Sequence, residues 1–143
     1  MSRPTGKTSA CSRTDARARL EDARAFLTVA DLALAQNVIT GDDDINLSGV
    51  SAALAVLVGI AAADAVCCHR LGRRFRGQDH RGAVDVVKTL VPEGPDMAKE
   101  LGRLLDVKDS AHYGVLGVSA KEARKAVEQA RRMVDRATTA LLT

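Results

Sequence analysis

Three places in this 143-residue chain carry side chains that could do chemistry. The first is the turn Gly77-Gln78-Asp79-His80, where an imidazole stands at the start of an expected helix. The positive end of the helix dipole there favours neutral imidazole, able to accept a proton. The second is Lys108-Asp109-Ser110-Ala111-His112-Tyr113, at the end of another expected helix. Lys108 would hold a phosphate or offset developing negative charge, His112 would supply an acid, and Tyr113 would stack on a base or donate a hydrogen bond. The third is Asp64, a carboxylate inside an apolar helix, which must find a partner on a neighbouring element. As catalytic candidates, His80, Lys108, His112 and Tyr113 suit RNA cleavage by attack of the 2′-hydroxyl, a general acid–base reaction that needs no metal and no cofactor. His80, Lys108 and Tyr113, with Asp64 and Asp79, also suit a buried polar network that fixes helix register.

Charge points to the same region. The chain carries 21 basic and 18 acidic residues, a net +3. Between His69 and Arg81, the arginines Arg70, Arg73, Arg74, Arg76 and Arg81 face the single acid Asp79. Such a cluster is expected to steer and grip phosphates, with affinity that falls steeply with salt.

Positioning these groups requires helices. Hydrophobic residues make up 46% of the chain, aromatic residues only 2%, and alanine is abundant. Alanine has the best helix propensity and lets helices approach closely. The expected fold is therefore all-α, an up-and-down bundle of about five helices over residues 14–143, preceded by a disordered tail over residues 1–13. The first helix is expected from Thr14 or Asp15 to about Val38, with Leu20, Ala23, Leu27, Ala30 and Leu34 on one face. The acidic Asp42-Asp43-Asp44 that follows reads as a solvated connection, because it lacks the Gly and distal Glu of a calcium loop.

The second helix, about Ser48 to Leu71, is apolar nearly all round and should be central. Its expected inner seam is Val50, Leu54, Leu57, Ala61, Asp64, Cys68 and Leu71. Gly72 to Gly77 reads as an Arg-rich loop, and Gln78 or Asp79 as the cap of a third helix from His80 to about Val91. A stop at Val91 to Pro95 precedes a fourth helix, with Met97, Leu101, Leu104 and Leu105 inward and Lys108 and His112 on the same face. Ser119 with Glu122 forms a capping box that opens the fifth, to about Leu142. Its outer stripe of Lys and Arg reads as a solvated surface. An antiparallel bundle can bring one helix start and another helix end to the same rim, so the Gly77–His80 turn, the Lys108–Tyr113 stretch and Asp64 are expected to converge.

Several activities are set aside at this level. Gly6-Lys7-Thr8 resembles the end of a phosphate-binding loop, but the leading Gly is missing and no strand is expected before it. The longest apolar run, Val50 to Ala63, is shorter than the roughly 20 residues of a membrane span. Cys11, Cys67 and Cys68 form no CxxC pair and read as reduced thiols of a cytoplasmic protein with no metal site.

The order of these features resembles the HEPN-type helical domains. The resemblance rests on the Ala-rich helix ending in Asp64-Ala65-Val66-Cys67, then Gly77-Gln78-Asp79-His80, then Lys108-Asp109-Ser110-Ala111-His112-Tyr113-Gly114 ahead of Ser119 and a last Ala-rich helix. It covers about residues 15 to 142 and implies a helical bundle that is usually a homodimer. Many members are ribonucleases of toxin–antitoxin, CRISPR-associated or phage-defence systems, and others are non-catalytic partners of nucleotidyltransferases. Catalytic members carry an Arg followed, after four to six residues, by a His near the end of a late helix. Here that stretch has Lys108, three residues, then His112. Arg74 and His80 have the family spacing but stand between the second and third helices, away from the family position. The resemblance thus implies binding of RNA or nucleotide phosphates, with metal-independent RNase activity. The alternative it implies is a non-catalytic dimeric module docking a nucleotidyltransferase or antitoxin. A small-ligand pocket beside Asp64 is a third possibility.

Overall fold

The computed structural model describes residues 7–40, 47–77, 79–113 and 117–143, with side chains for all of these but 37–40 and 110–113. The described residues form five helices and two short strands: β1 (Thr8–Ala10), α1 (Arg13–Thr40), α2 (Leu47–Leu71), β2 (Arg73–Phe75), α3 (Arg81–Val87), α4 (Gly94–Tyr113) and α5 (Ala120–Leu141). The protein is an all-α bundle, as its composition leads one to expect. The acidic triplet 42–44 and the proposed cap Gln78 lie outside the described residues.

Helix α1 buries Ala16, Leu20, Ala23, Leu27 and Ala30, alternating spacings of four and three that keep one face on the core. It starts earlier than the sequence suggests, because Ser12 rather than Thr14 or Asp15 caps it. The Ser12 hydroxyl accepts from the Asp15 amide at 3.0 Å, and the Asp15 carboxylate accepts from the Ser12 amide at 2.8 Å. These bonds satisfy two donors that a helix start leaves open. They also hold the Asp15 carboxyl below its usual range, first through the Ser12 backbone and then through its hydroxyl.

Helix α2 is the axis of the bundle, packing on α1, α4 and α5. Every residue from Ala61 to Cys68 is buried, so this half has no outer face. The N-terminal half corrects the expected seam: Val50 is 49% and Leu57 43% exposed, and the residues facing inward are Ala52, Ala55, Val56 and Val58. Gly59 lets α4 and α5 close on this axis, since a Cβ there would stand 2.4 Å from Leu104 Cδ1 and 3.2 Å from Met133 Sδ. The helix is long and apolar enough to cross a membrane, yet 72% of its most apolar window is buried inside the bundle.

The short strands correct two expectations. Residues 1–13 read as a disordered tail, but Thr8–Ala10 pair antiparallel with Phe75–Arg73, converting the expected Arg-rich loop into β2. Residues 1–6 lie outside the described set. Further bonds anchor the strand, from the Cys11 amide to the Gly72 carbonyl (2.9 Å) and from the Arg76 amide to the Lys7 carbonyl (2.7 Å). Gly72 has φ +66°, a left-handed conformation that suits Gly as the chain leaves α2. A disulfide joins Cys11 to Cys68 across a separation of 57 residues, so the reading of three reduced thiols does not hold. Cys67 stays free and buried, and burial followed by the nearby Asp64 charge pushes its thiol pKa up to about 12.

Helix α3 is shorter than expected, ending at Val87; His80 at its N-cap position makes no side-chain capping bond, and the first helical amide, of Arg81, is taken by the Asp79 carboxylate. Ser119 caps α5 as the sequence indicates, its hydroxyl accepting from the Glu122 amide and donating to the Glu122 carboxylate, both at 3.1 Å.

Candidate functional site

Asp64 is 7% exposed on α2 and has the neighbouring partner that its burial demands. Arg19 reaches across from α1 and donates to Oδ2 through Nε (3.3 Å) and Nη2 (3.0 Å). Arg74 of β2 brings Nη1 to 3.6 Å from the same oxygen. Burial nonetheless raises the Asp64 pKa, outweighing the opposing pull of Arg19, Arg74 and His80. The sequence pointed to a partner without naming it, because Arg19 lies on the polar side of α1 among other exposed charges. Asp79 does not join this buried network: it is exposed, and its Oδ1 accepts from the Arg81 amide at 3.0 Å, in the turn that opens α3.

His80 is half-buried at the N-cap position of α3. Its pKa is lowered, first by burial and then by the charge of Lys108, against the opposing influence of Asp64 and Asp79. The imidazole is thus held toward its neutral form, as expected from the sequence, though desolvation and a nearby cation account for it here.

Lys108 of α4 and His80 line one cleft of about 210 Å³. Its wall is apolar, built from Ala53, Val56, Leu57 and Ile60 of α2 and Val107 of α4. The partial exposure of Leu57 therefore belongs to a recess that carries Lys108 and His80. His112 and Tyr113 stand in the last turn of α4, with His112 one turn beyond Lys108, and their side chains lie outside the described residues.

The five clustered arginines do not form one patch. Arg70 donates through Nη2 to Glu93 Oε1 (2.6 Å) and to the Thr143 hydroxyl (2.7 Å), locking the end of α2 to the start of α4 and the chain end. Burial pushes the Glu93 carboxyl up, but the Arg70 hydrogen bond and the surrounding donors and charges prevail and hold it low. Arg73 donates to the Thr8 hydroxyl at 2.8 Å, and Arg74 is held at Asp64. Arg81 spans to Asp106 (2.6 Å) and Asp109 (2.8 Å), tying α3 to α4. Arg76 is exposed. The acids that engage Arg70, Arg74 and Arg81 lie on other elements, so a local charge count could not reveal them.

Sequence reading also missed a polar layer between α4 and α5. Glu100, buried, accepts from Gln129 Nε2 (3.1 Å) and Arg136 Nε (2.9 Å). On the far side of α5, Arg131 reaches Asp31 of α1 at 2.6 Å. Among the described residues, no group of three or more His, Cys, Asp or Glu side chains is arranged to hold a metal. No family model, curated protein or solved structure matches the chain.

Proposed function

We propose that this chain is a HEPN-like bundle that binds RNA or nucleotide phosphates at the His80–Lys108 cleft, acting within a toxin–antitoxin or phage-defence pair. The observation that carries this reading is the meeting of a lysine and a neutral-leaning imidazole at a small apolar recess. Lys108 supplies a point charge for a phosphate, His80 a hydrogen-bonding partner for a ribose hydroxyl, and the α2 wall a surface for a base. At about 210 Å³ the recess is smaller than the roughly 300–1,000 Å³ that encloses a drug-sized ligand, so it suits part of a nucleotide, a base or a ribose, with the phosphate at its rim.

Cleavage at this site would have His80 take the 2′-hydroxyl proton while the 2′-oxygen attacks the adjacent phosphorus. The departing 5′-oxygen would receive its proton from an acid, for which His112 is the candidate, leaving a 2′,3′-cyclic phosphate and a 5′-hydroxyl. Calorimetric titration with AMP tests the binding step: Lys108→Ala should weaken the affinity about tenfold, the loss of one charge-assisted contact worth about 1.4 kcal/mol. Equal affinity in both proteins would remove the cleft from the account. Incubation with single-stranded RNA tests the chemistry, since cleavage by the wild type and not by His80→Gln or His112→Ala would make the protein a ribonuclease.

A second reading, a non-catalytic dimeric module docking a nucleotidyltransferase, draws support from the outer faces of α1 and α2. Val29, Leu32 and Val50 are large apolar side chains left exposed there. Sedimentation that shows a monomer at all concentrations would remove the dimer.

A further inference from the structure

We infer that the outer face of α5, with Arg103 of α4, is the track along which single-stranded RNA approaches the His80–Lys108 cleft. This rests on the nucleotide-binding reading of that cleft and adds the surface that grips the strand.

The first support is continuity. Val107 walls the cleft on one side and, on the other, a depression of about 260 Å³ between α4 and α5 that also holds Arg103 and Lys125. Lys125 in turn lines a third depression, of about 420 Å³, with Lys121, Arg124 and Arg132. Three recesses thus share lining residues, leading from the imidazole to the basic stripe.

The second support is the state of the charges. Arg70, Arg74 and Arg81 of the sequence cluster are engaged by acids of the same chain. Arg103, Lys121, Arg124, Lys125 and Arg132 enter no ion pair among the described residues. The two acids between Lys121 and Arg132 are occupied, Glu122 by the Ser119 hydroxyl and Glu128 by Arg131, and Asp135 stands one turn beyond the row. Four cations therefore face solvent along a row of α5 from Lys121 to Arg132 that rises about 16 Å at 1.5 Å per residue, and Arg103 of α4 stands beside it. Cations left unpaired and lining grooves suit a flexible polyanion, whose phosphates release counterions on contact. The α2 wall of the cleft adds an apolar surface for a base at the end of the track, which favours RNA over an acidic polypeptide.

The test compares three proteins by fluorescence anisotropy with a fluorescein-labelled uridylate dodecamer, and by calorimetry with AMP. They are the wild type, Lys121→Glu/Arg124→Glu/Lys125→Glu, and Arg73→Ala/Arg76→Ala. All changed side chains sit at the surface, and circular dichroism checks the helices. The triple reversal should weaken dodecamer binding more than tenfold and flatten the salt dependence by roughly two units, the slope expected for three single-strand phosphate contacts. Its AMP affinity should be unchanged, and the double alanine variant should bind the dodecamer nearly as the wild type does. If AMP binds the wild type but the reversal leaves dodecamer affinity and slope intact, the track is wrong and the cleft survives. If neither AMP nor the dodecamer binds the wild type, the cleft reading falls and the track with it. Displacement of the dodecamer by polyglutamate at equal charge concentration would overturn the assignment to RNA.

Discussion

Replacing Cys11 and Cys68 by serine tests how the N-terminal strand is held and how far the disulfide stabilises the bundle. The bond closes a loop of 57 residues containing all of α1 and most of α2. In the chain-entropy description, a cross-link of that span removes about 4 kcal/mol of freedom from the unfolded chain. For a domain of this size each kcal/mol moves the thermal midpoint by roughly 3 °C, so the double variant should melt roughly 12 °C below the oxidised wild type. The loss should also be local. Without the bond, β1 is held chiefly by a three-residue ladder and its flanking amide bonds. Amide exchange at residues 8–11 should rise well before that of the α2 interior. Thermal melts and urea titrations with and without a phosphine reductant measure the global term, and hydrogen exchange the local one. Thiol alkylation of the unfolded, unreduced chain followed by mass measurement should find Cys67 alone reactive. Three reactive thiols in that experiment, or a variant within about 1 kcal/mol of the oxidised protein, would refute the loop-closure reasoning.

Three other outcomes follow from the packing and the charges. Gly59→Ala places a methyl 2.4 Å from Leu104 Cδ1 in the contact of α2 with α4 and should cost about 1–3 kcal/mol by overpacking, whereas Gly102→Ala, with open space at its Cβ, should be tolerated; urea midpoints compare them. Ser119→Ala removes the α5 cap and should cost about 1 kcal/mol in the same assay. His80 should titrate below the ordinary imidazole value by NMR. Lys108→Ala should raise its midpoint only in part, because burial is the larger cause and the lysine the second. The stability linked to that shift is present above the unfolded pKa of about 6.5 and is lost as pH falls through the folded value, so His80→Gln should soften the acid side of the stability profile.

The helices were legible because their apolar spacing is regular. Leu20, Ala23, Leu27 and Ala30 face the core as their periodicity requires, and Ser119 with Glu122 marks the start of α5 by local chemistry alone. Features that depend on distant partners were not legible. Nothing near Cys11 indicates Cys68, and a strand as short as Thr8–Ala10 has no period to read. The arginines between residues 70 and 81 looked like one basic patch because sequence shows only their neighbours. Arg70 and Arg81 are paired by Glu93, Asp106 and Asp109, from α4 and the turn before it, and Arg74 by Asp64 of α2. Conversely, the charged stripe of α5 read as a solvated face, since its alternation of acids and bases conceals that the acids are engaged while several bases are not. The convergence of His80 with Lys108 was foreseeable from helix order, but the apolar recess between them required the three-dimensional placement of Val107 and Ile60.

The most direct test of the proposed cleft is the histidine NMR spectrum followed through a titration with AMP. The His80 Cε1–H resonance should move progressively and saturate, His69 at the far end of α2 should stay in place, and Lys108→Ala should shift the saturation to higher nucleotide concentration. A His80 resonance that does not move at millimolar AMP, or one that moves no more than His69, would contradict the account.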